Sequence, residues 1–149
     1  MIPVSEPNLS KEELKNVIDC VKSNWISSSG KYLTEFEDKF ARYHDVNHAV
    51  ALSNGTAALE VALHAIGIKD GDEVIIPSFT IISVALAVIR VGAIPRFADV
   101  DKDTWNIDPD YINELITTKT KAIIAVHSFG HPVDVDAILD IARSNNLKV

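Results

Sequence analysis

Ser53-Asn54-Gly55-Thr56 is the stretch whose residue types could hold a charged ligand. The run before it, His48 to Leu52, is apolar and partly β-branched, so it reads as a short buried strand. The run after it, Ala57 to Leu63, is made mostly of good helix formers. A sharp strand-to-helix turn through a glycine leaves free backbone N–H groups at a helix N-terminus, a place for an anion and most often a phosphate. The plain alternative is a tight turn with Thr56 as a cap. His127 and His131 are four apart, the spacing with which two histidines on one helix bind zinc. Gly130 between them and Pro132 after them forbid that helix, so no metal is expected and a locally hydrogen-bonded loop histidine is the default.

Other signatures are missing. No G-x-G-x-x-G occurs, so the dinucleotide fingerprint is absent, and no G-x-S-x-G marks an esterase. Ser29-Gly30-Lys31-Tyr32 is like the tail of a phosphate-binding Walker loop, but it lacks the upstream glycine and has Tyr32 where Ser or Thr would hold magnesium. Three residues have simple structural readings: Phe79 as a core aromatic, Asp99 as a turn or helix cap, and Trp25 as a packing residue.

The elements that would position these groups alternate. Ser10 with Glu13 forms a capping box for a helix whose face carries Leu14, Val17, Ile18 and Val21. Residues 25–31 are a loop. A second helix follows within 32–43, with Thr34 as its expected cap and Phe36 and Phe40 on one face. Strands are expected at 48–52, 73–77, 94–100 and 121–127, with one more beginning at Lys148-Val149. Helices are expected after residue 57, from Ile81 to Val91, after the Asp108-Pro109 start, and after Asp134. Alternating strands and helices, with several strands apolar on both faces, imply an α/β fold with a mainly parallel sheet and helices on both faces. Ligands of such folds sit beyond the C-terminal ends of the strands. Residues 53–56, 77–80, Asp99 and 127–130 all fall there. The division expected is a helical arm over 1–45 and an incomplete α/β domain over 46–149.

Read together, these segments resemble the DegT/DnrJ/EryC1/StrS family of sugar aminotransferases that use pyridoxal 5′-phosphate. The matching residues are Ile2-Pro3-Val4 and Pro7, Trp25-Ile26-Ser27-Ser28 with Gly30, Phe36-Glu37, and 53–59. They continue through 71–80, Gly92-Ala93, 97–100 and 127–130, in the family's order and spacing. Within the family the perosamine synthase subgroup, which acts on a GDP-linked 4-keto-6-deoxy sugar, is the nearest in pattern.

The resemblance implies the N-terminal part of a fold type I large domain. It makes Gly55 and Thr56 holders of the cofactor phosphate, with Ser53 and Asn54 shaping the turn. Ile81 stands where many relatives stack an aromatic residue on the cofactor ring, so contact there is expected to be apolar packing. Trp25, Ser27, Ser28, Gly30, His127, Ser128 and Phe129 are implied on the sugar-nucleotide side. The implied partners are a nucleotide-linked keto sugar and an amino-acid donor, glutamate in most such reactions, with a homodimer as the assembly. Family members run to about two and a half times this length. The acidic partner of the ring nitrogen and the lysine that attaches the cofactor belong, in the pattern, past Val149. No catalytic residue is therefore assigned, and these residues alone are expected to be inactive. Two alternatives stay open: a sugar dehydratase of the same family, with histidine in place of the lysine, and a non-catalytic remnant or assembly partner.

Composition limits the partners. The formal net charge is −7, so no basic excess exists to neutralise duplex nucleic acid. The lone Cys20 cannot form an internal disulfide and fits a reducing cytoplasm. Residues 1–7 carry no signal-peptide pattern. The uncharged run from Val74 to Ile89, broken by Pro77, falls short of the roughly 18–20 residues a membrane span needs, so no membrane is expected.

Overall fold

The computed structural model describes residues 2–3 and 5–149; Met1 and Val4, the latter part of the N-terminal match, lie outside the described residues. The chain divides into two compact units, Met1–Ala51 and Leu52–Val149.

The first unit holds α1 (Lys11–Ser23) and α2 (Lys31–Tyr43). The capping box at Ser10 forms as its sequence predicts: Ser10 Oγ accepts the Glu12 N–H at 3.1 Å and Glu13 Oε2 accepts the Ser10 N–H at 2.6 Å. Thr34 is not the cap of α2. The helix starts earlier, with Gly30 in the cap position and its carbonyl accepting from Leu33 and Thr34. Phe36 and Phe40 do share a face, with ring centroids 5.5 Å apart. The expected strand at 48–52 does not form. Nor is the run buried: Val50 is 75% and Leu52 41% exposed, and no strand pairs with it among the described residues. Ala51 N–H instead donates to Glu37 Oε1 of α2 at 2.8 Å.

The second unit is a three-stranded parallel sheet of order β2-β1-β3, from β1 (Glu73–Pro77), β2 (Ile94–Ala98) and β3 (Thr120–Ile123). Four helices cover it: α3 (Gly55–Ala65), α4 (Ile82–Arg90), α5 (Pro109–Leu115) and α6 (Val135–Ser144). Strand alternation sorts the core into two layers. Val74 and Ile76 pack with Leu63 of α3 and Val84, Ala87 and Val88 of α4. Ile75 faces the other way, with Ile112 of α5, Ile123 of β3, and Ile138 and Ala142 of α6. Helices therefore lie on both faces.

Local signals set most boundaries. Asp108 and Asp134 cap α5 and α6 through the N–H groups of Asp110 (2.9 Å) and Ala137 (3.0 Å). At the end of α4, Gly92 has φ +81, and its N–H and that of Ala93 bond Ile89 and Val88 carbonyls in a Schellman cap. A Cβ there would lie 2.8 Å from Asp70 Oδ1, so both backbone and space require glycine. β2 and β3 are shorter than expected, ending at Ala98 and Ile123. Past Ile123 one further bond to β1 remains, from the Ile124 N–H to the Ile75 carbonyl at 2.8 Å. Lys148 pairs in parallel with Ala122, the start of a strand beside β3.

Candidate functional site

The segments leaving β1 and β3 diverge. α4, which follows β1, packs on the Val74/Ile76 face, whereas α6, which follows β3, packs on the Ile75 face. Adjacent parallel strands whose following helices go to opposite faces open a crevice between their C-terminal ends. A cavity of about 400 Å³ sits there, lined by Phe79, Thr80 and Ile81 after β1 and by residues 126–129 after β3. Ile81 is the extended residue ahead of α4 and is 69% exposed. Thr80 Oγ1 is buried without a hydrogen-bond partner among the described residues. Such an orphan hydroxyl costs about 1–3 kcal/mol, which a polar ligand atom would offset.

An aromatic cluster borders this cavity. Phe79 and Trp105 meet edge-on with centroids 5.0 Å apart, and Phe129 lies 6.4 Å from Phe79. Phe79 is thus partly exposed and not a core residue. Phe129 occupies the left-handed region (φ 51, ψ 27) in the single 3-10 turn Ser128–Gly130, which leaves its ring 90% exposed. His127 Nδ1 accepts the Val133 N–H at 3.1 Å, the local bond expected of a loop histidine, and its Nε2 is then the ring's donor. Ser128 is buried; its hydroxyl donates to the Trp105 carbonyl at 3.0 Å and its N–H to Asn106 Oδ1 at 2.9 Å.

Asn106 is the residue that sequence reasoning missed; Thr80 lies in the 77–80 strand end expected at the ligand, though no role was assigned to its hydroxyl. Asn106 is 3% exposed, and its side-chain amide also donates to the carbonyls of His131 (3.1 Å) and Pro132 (3.0 Å). The turn that presents it is fastened by Asp101, whose Oδ1 accepts from Thr104 (2.8 Å) and Asp103 (3.1 Å). The Thr104 N–H, first among several bonds, holds the Asp101 carboxyl below its usual range. Asp99 Oδ1 accepts from the Val100 N–H, the turn role its sequence suggested.

The turn at 53–56 opens α3. Asn54 is its cap, with Oδ1 accepting the Ala57 N–H at 2.9 Å and Nδ2 donating to Ser53 Oγ at 3.2 Å. The Asn54 carbonyl takes the Ala58 N–H. The first two helical N–H groups, those of Gly55 and Thr56, can have no partner within the helix. Apart from its chain neighbours and its own helix backbone, no atom lies within 4 Å of where a Cβ on Gly55 would stand, and its φ is not positive. No side chain or more distant backbone therefore requires glycine there. Ser53, Asn54, Gly55 and Thr56 do not line the crevice between β1 and β3.

In the first unit, Trp25, Ser27 and Gly30 line a cavity of about 500 Å³ with Cys20, Lys31 and Tyr32; Ser28 is not among its lining residues. The structure thus joins Ile81 with His127, Ser128 and Phe129. It leaves the turn at 53–56 as a separate feature of the same unit and the Trp25 group in the other unit. Among the described residues no cluster could hold a metal ion, and no helix is long and apolar enough to cross a membrane.

The DegT/DnrJ/EryC1/StrS aminotransferase family matches residues 7–149. A GDP-perosamine synthase of Caulobacter vibrioides is 47% identical over 148 residues, 99% of this chain and 40% of the relative. Among solved structures, an aminotransferase from Psychrobacter cryohalolentis superposes with a TM-score of 0.88 at 41% identity, covering 97% of this chain and 37% of its own. NtdA from Bacillus subtilis, solved with bound cofactor PMP, gives 0.87 at 34% identity, covering 95% and 33%. The chain spans about two fifths or less of these proteins.

Proposed function

Because this chain belongs to the DegT/DnrJ/EryC1/StrS aminotransferase family, we propose that it forms the N-terminal part of the large domain of a pyridoxal 5′-phosphate-dependent aminotransferase. The complete enzyme passes an amino group from an amino acid, glutamate in this reading, to a nucleotide-linked 4-keto-6-deoxy sugar for polysaccharide biosynthesis. Likeness to a GDP-perosamine synthase supports the sugar class. We place the complete protein in the cytoplasm as a homodimer; the free thiol of Cys20 fits that compartment.

When bound, the cofactor supplies an electron sink for the carbon that exchanges the amino group. The observation that carries the reading is the pair of N–H groups at Gly55 and Thr56, the first two of α3, which have no partner within the helix. They hold the phosphate, helped by the Thr56 hydroxyl and the positive end of α3. Ile81 packs against the ring with the aromatic wall of the crevice, and the orphan Thr80 hydroxyl meets a polar atom of the ligand. His127, Ser128 and Phe129 face the sugar side; Ser128, with its proton committed to Trp105, can only accept there. Trp25, Ser27, Ser28 and Gly30 belong to the sugar-nucleotide side. The acidic and lysine groups that act on the ring come from residues beyond 149.

Pyridoxine 5′-phosphate tests the reading, since it lacks the aldehyde that would react with surface lysines. The expected result is a shifted phosphorus resonance on titration with this chain, reversed by excess inorganic phosphate. Phosphate-free pyridoxine should bind at least about tenfold more weakly, the ratio for losing roughly 1.4 kcal/mol. Equal binding of the two, or binding of neither, overturns the proposal.

A further inference from the structure

We infer that Asn106 is a positioning residue for the ring-binding crevice: it fixes the His127–Phe129 wall from behind and touches no ligand itself. The inference rests on the assignment of the cofactor ring to the crevice between β1 and β3. Residues 127–132 leave β3 as a short loop with little regular structure of their own, a single 3-10 turn. Left alone, such a loop would sample many conformations. One buried side chain restricts it at both ends. Asn106 Oδ1 takes the Ser128 N–H at the near end, and Nδ2 donates to the His131 and Pro132 carbonyls at the far end. The adjacent Trp105 carbonyl receives the Ser128 hydroxyl, giving a second tie to the same turn.

Between these ties stands Phe129, in a backbone region that non-glycine residues rarely adopt. Strain of this kind persists only when the surroundings enforce it. The Asn106 bonds enforce it, and the result is an aromatic ring held out at the rim of the crevice opposite Phe79. Asn106 itself lies behind the wall, buried and absent from the crevice lining. A group that satisfies one donor and two acceptors across 22 to 26 residues can be replaced by neither a pure donor nor a pure acceptor. Other bonds hold the phosphate turn, so it should not feel the change.

Asn106→Ala separates positioning from a general structural role. The dissociation constants of pyridoxine 5′-phosphate and of inorganic phosphate are measured on the same 149-residue chain, with urea unfolding alongside. Expected is about a tenfold loss for pyridoxine 5′-phosphate, the size of one or two lost hydrogen bonds. Inorganic phosphate should bind as in the wild type, and unfolding should stay cooperative. Asn106→Asp keeps the acceptor for Ser128 but sets oxygen against the His131 and Pro132 carbonyls. It should show the same split and carries the test if the alanine variant does not fold. Unchanged binding of pyridoxine 5′-phosphate overturns the inference, as does a parallel loss of both ligands or failure of both variants to fold. A wild-type chain that binds pyridoxine 5′-phosphate no better than phosphate removes the ring assignment, and the inference falls with it. A wild-type preference that survives in both variants sinks the inference alone.

Discussion

Gly55 stands at the first helical position of α3 with no side chain or more distant backbone near its missing Cβ and no unusual backbone angle. Alanine at such a site costs the fold nothing and loses less chain entropy, so Gly55→Ala should hold or raise stability, by up to about 1 kcal/mol. In the proposed site the added methyl group would crowd a phosphate held by the Gly55 and Thr56 N–H groups, so phosphate should bind at least about tenfold more weakly, the ratio for roughly 1.4 kcal/mol. Urea midpoints and phosphorus-resonance titrations read the two effects separately. An alanine variant that keeps wild-type affinity would remove the turn from the site. This turn was legible in the sequence because its signal is local, a glycine opening a helix; its cap was read as Thr56, but Asn54 holds the place, its Oδ1 accepting the Ala57 N–H. Asn106 was not legible, since its partners lie 22 to 26 residues away and two of them are backbone carbonyls that leave no mark in the sequence. The place of Thr80 at a strand end was legible, but its orphan hydroxyl was not, since the lack of a partner is a property of the packed crevice.

Helices α1 and α2 are tied by one side-chain cluster. Asp19 on α1 accepts from the Lys31 ammonium at 2.6 Å and the Tyr32 hydroxyl at 3.1 Å, both in the first turn of α2. The Lys31 bond first, then that of Tyr32, holds the Asp19 carboxyl below its ordinary value of 3.8, and the Asp19 bond raises Lys31 above 10.5. A carboxylate whose folded value is depressed contributes stability above the ordinary value and loses it as pH falls through the lower folded one. The Asp19 contribution should therefore be present above pH 3.8 and fade below it. The raised Lys31 contributes below pH 10.5 and fades as pH climbs past that value. In Asp19→Asn both limbs should flatten, seen as helical circular dichroism against urea at pH 2 to 5 and 10 to 12. An acid limb identical to the wild type would show that the cluster does not couple the helices. At this scale the sequence predicted what is local, namely the caps at Ser10, Asp108 and Asp134 and the glycine stop at Gly92. It mistook Thr34 for a cap because threonine is the better capping residue by type, whereas Gly30 holds the place by position. It also assigned a buried strand to 48–52, where neither burial nor pairing occurs: apolar residues favour both, but each needs distant partners, and Val50 is left 75% exposed.

Across the whole molecule, burial is divided unequally. In the first unit Ala41 is the only buried apolar residue among those described, while Leu14, Val17 and Val21 on α1 are each more than 60% exposed. The second unit has two apolar layers, one on each face of the sheet, with Val74, Ile75 and Ile76 fully excluded from solvent. Buried apolar area stabilises at roughly 25 cal/mol per Å², so cohesion should follow that division. Isolated helices as short as these are marginal in water without a packed face. Local openings then expose α1 and α2 amides at little cost, while β1 amides exchange only when the sheet comes apart. Native-state hydrogen exchange should show α1 and α2 of this chain exchanging early and Ile75 and Ile76 last. As urea rises, β1 protection should fall in step with global unfolding, whereas α1 exchange should scarcely change. Equal protection in α1 and β1 would mean that the first unit draws stability from burial other than its own. The Leu14–Val17–Val21 stripe would then be the first place to look for its source.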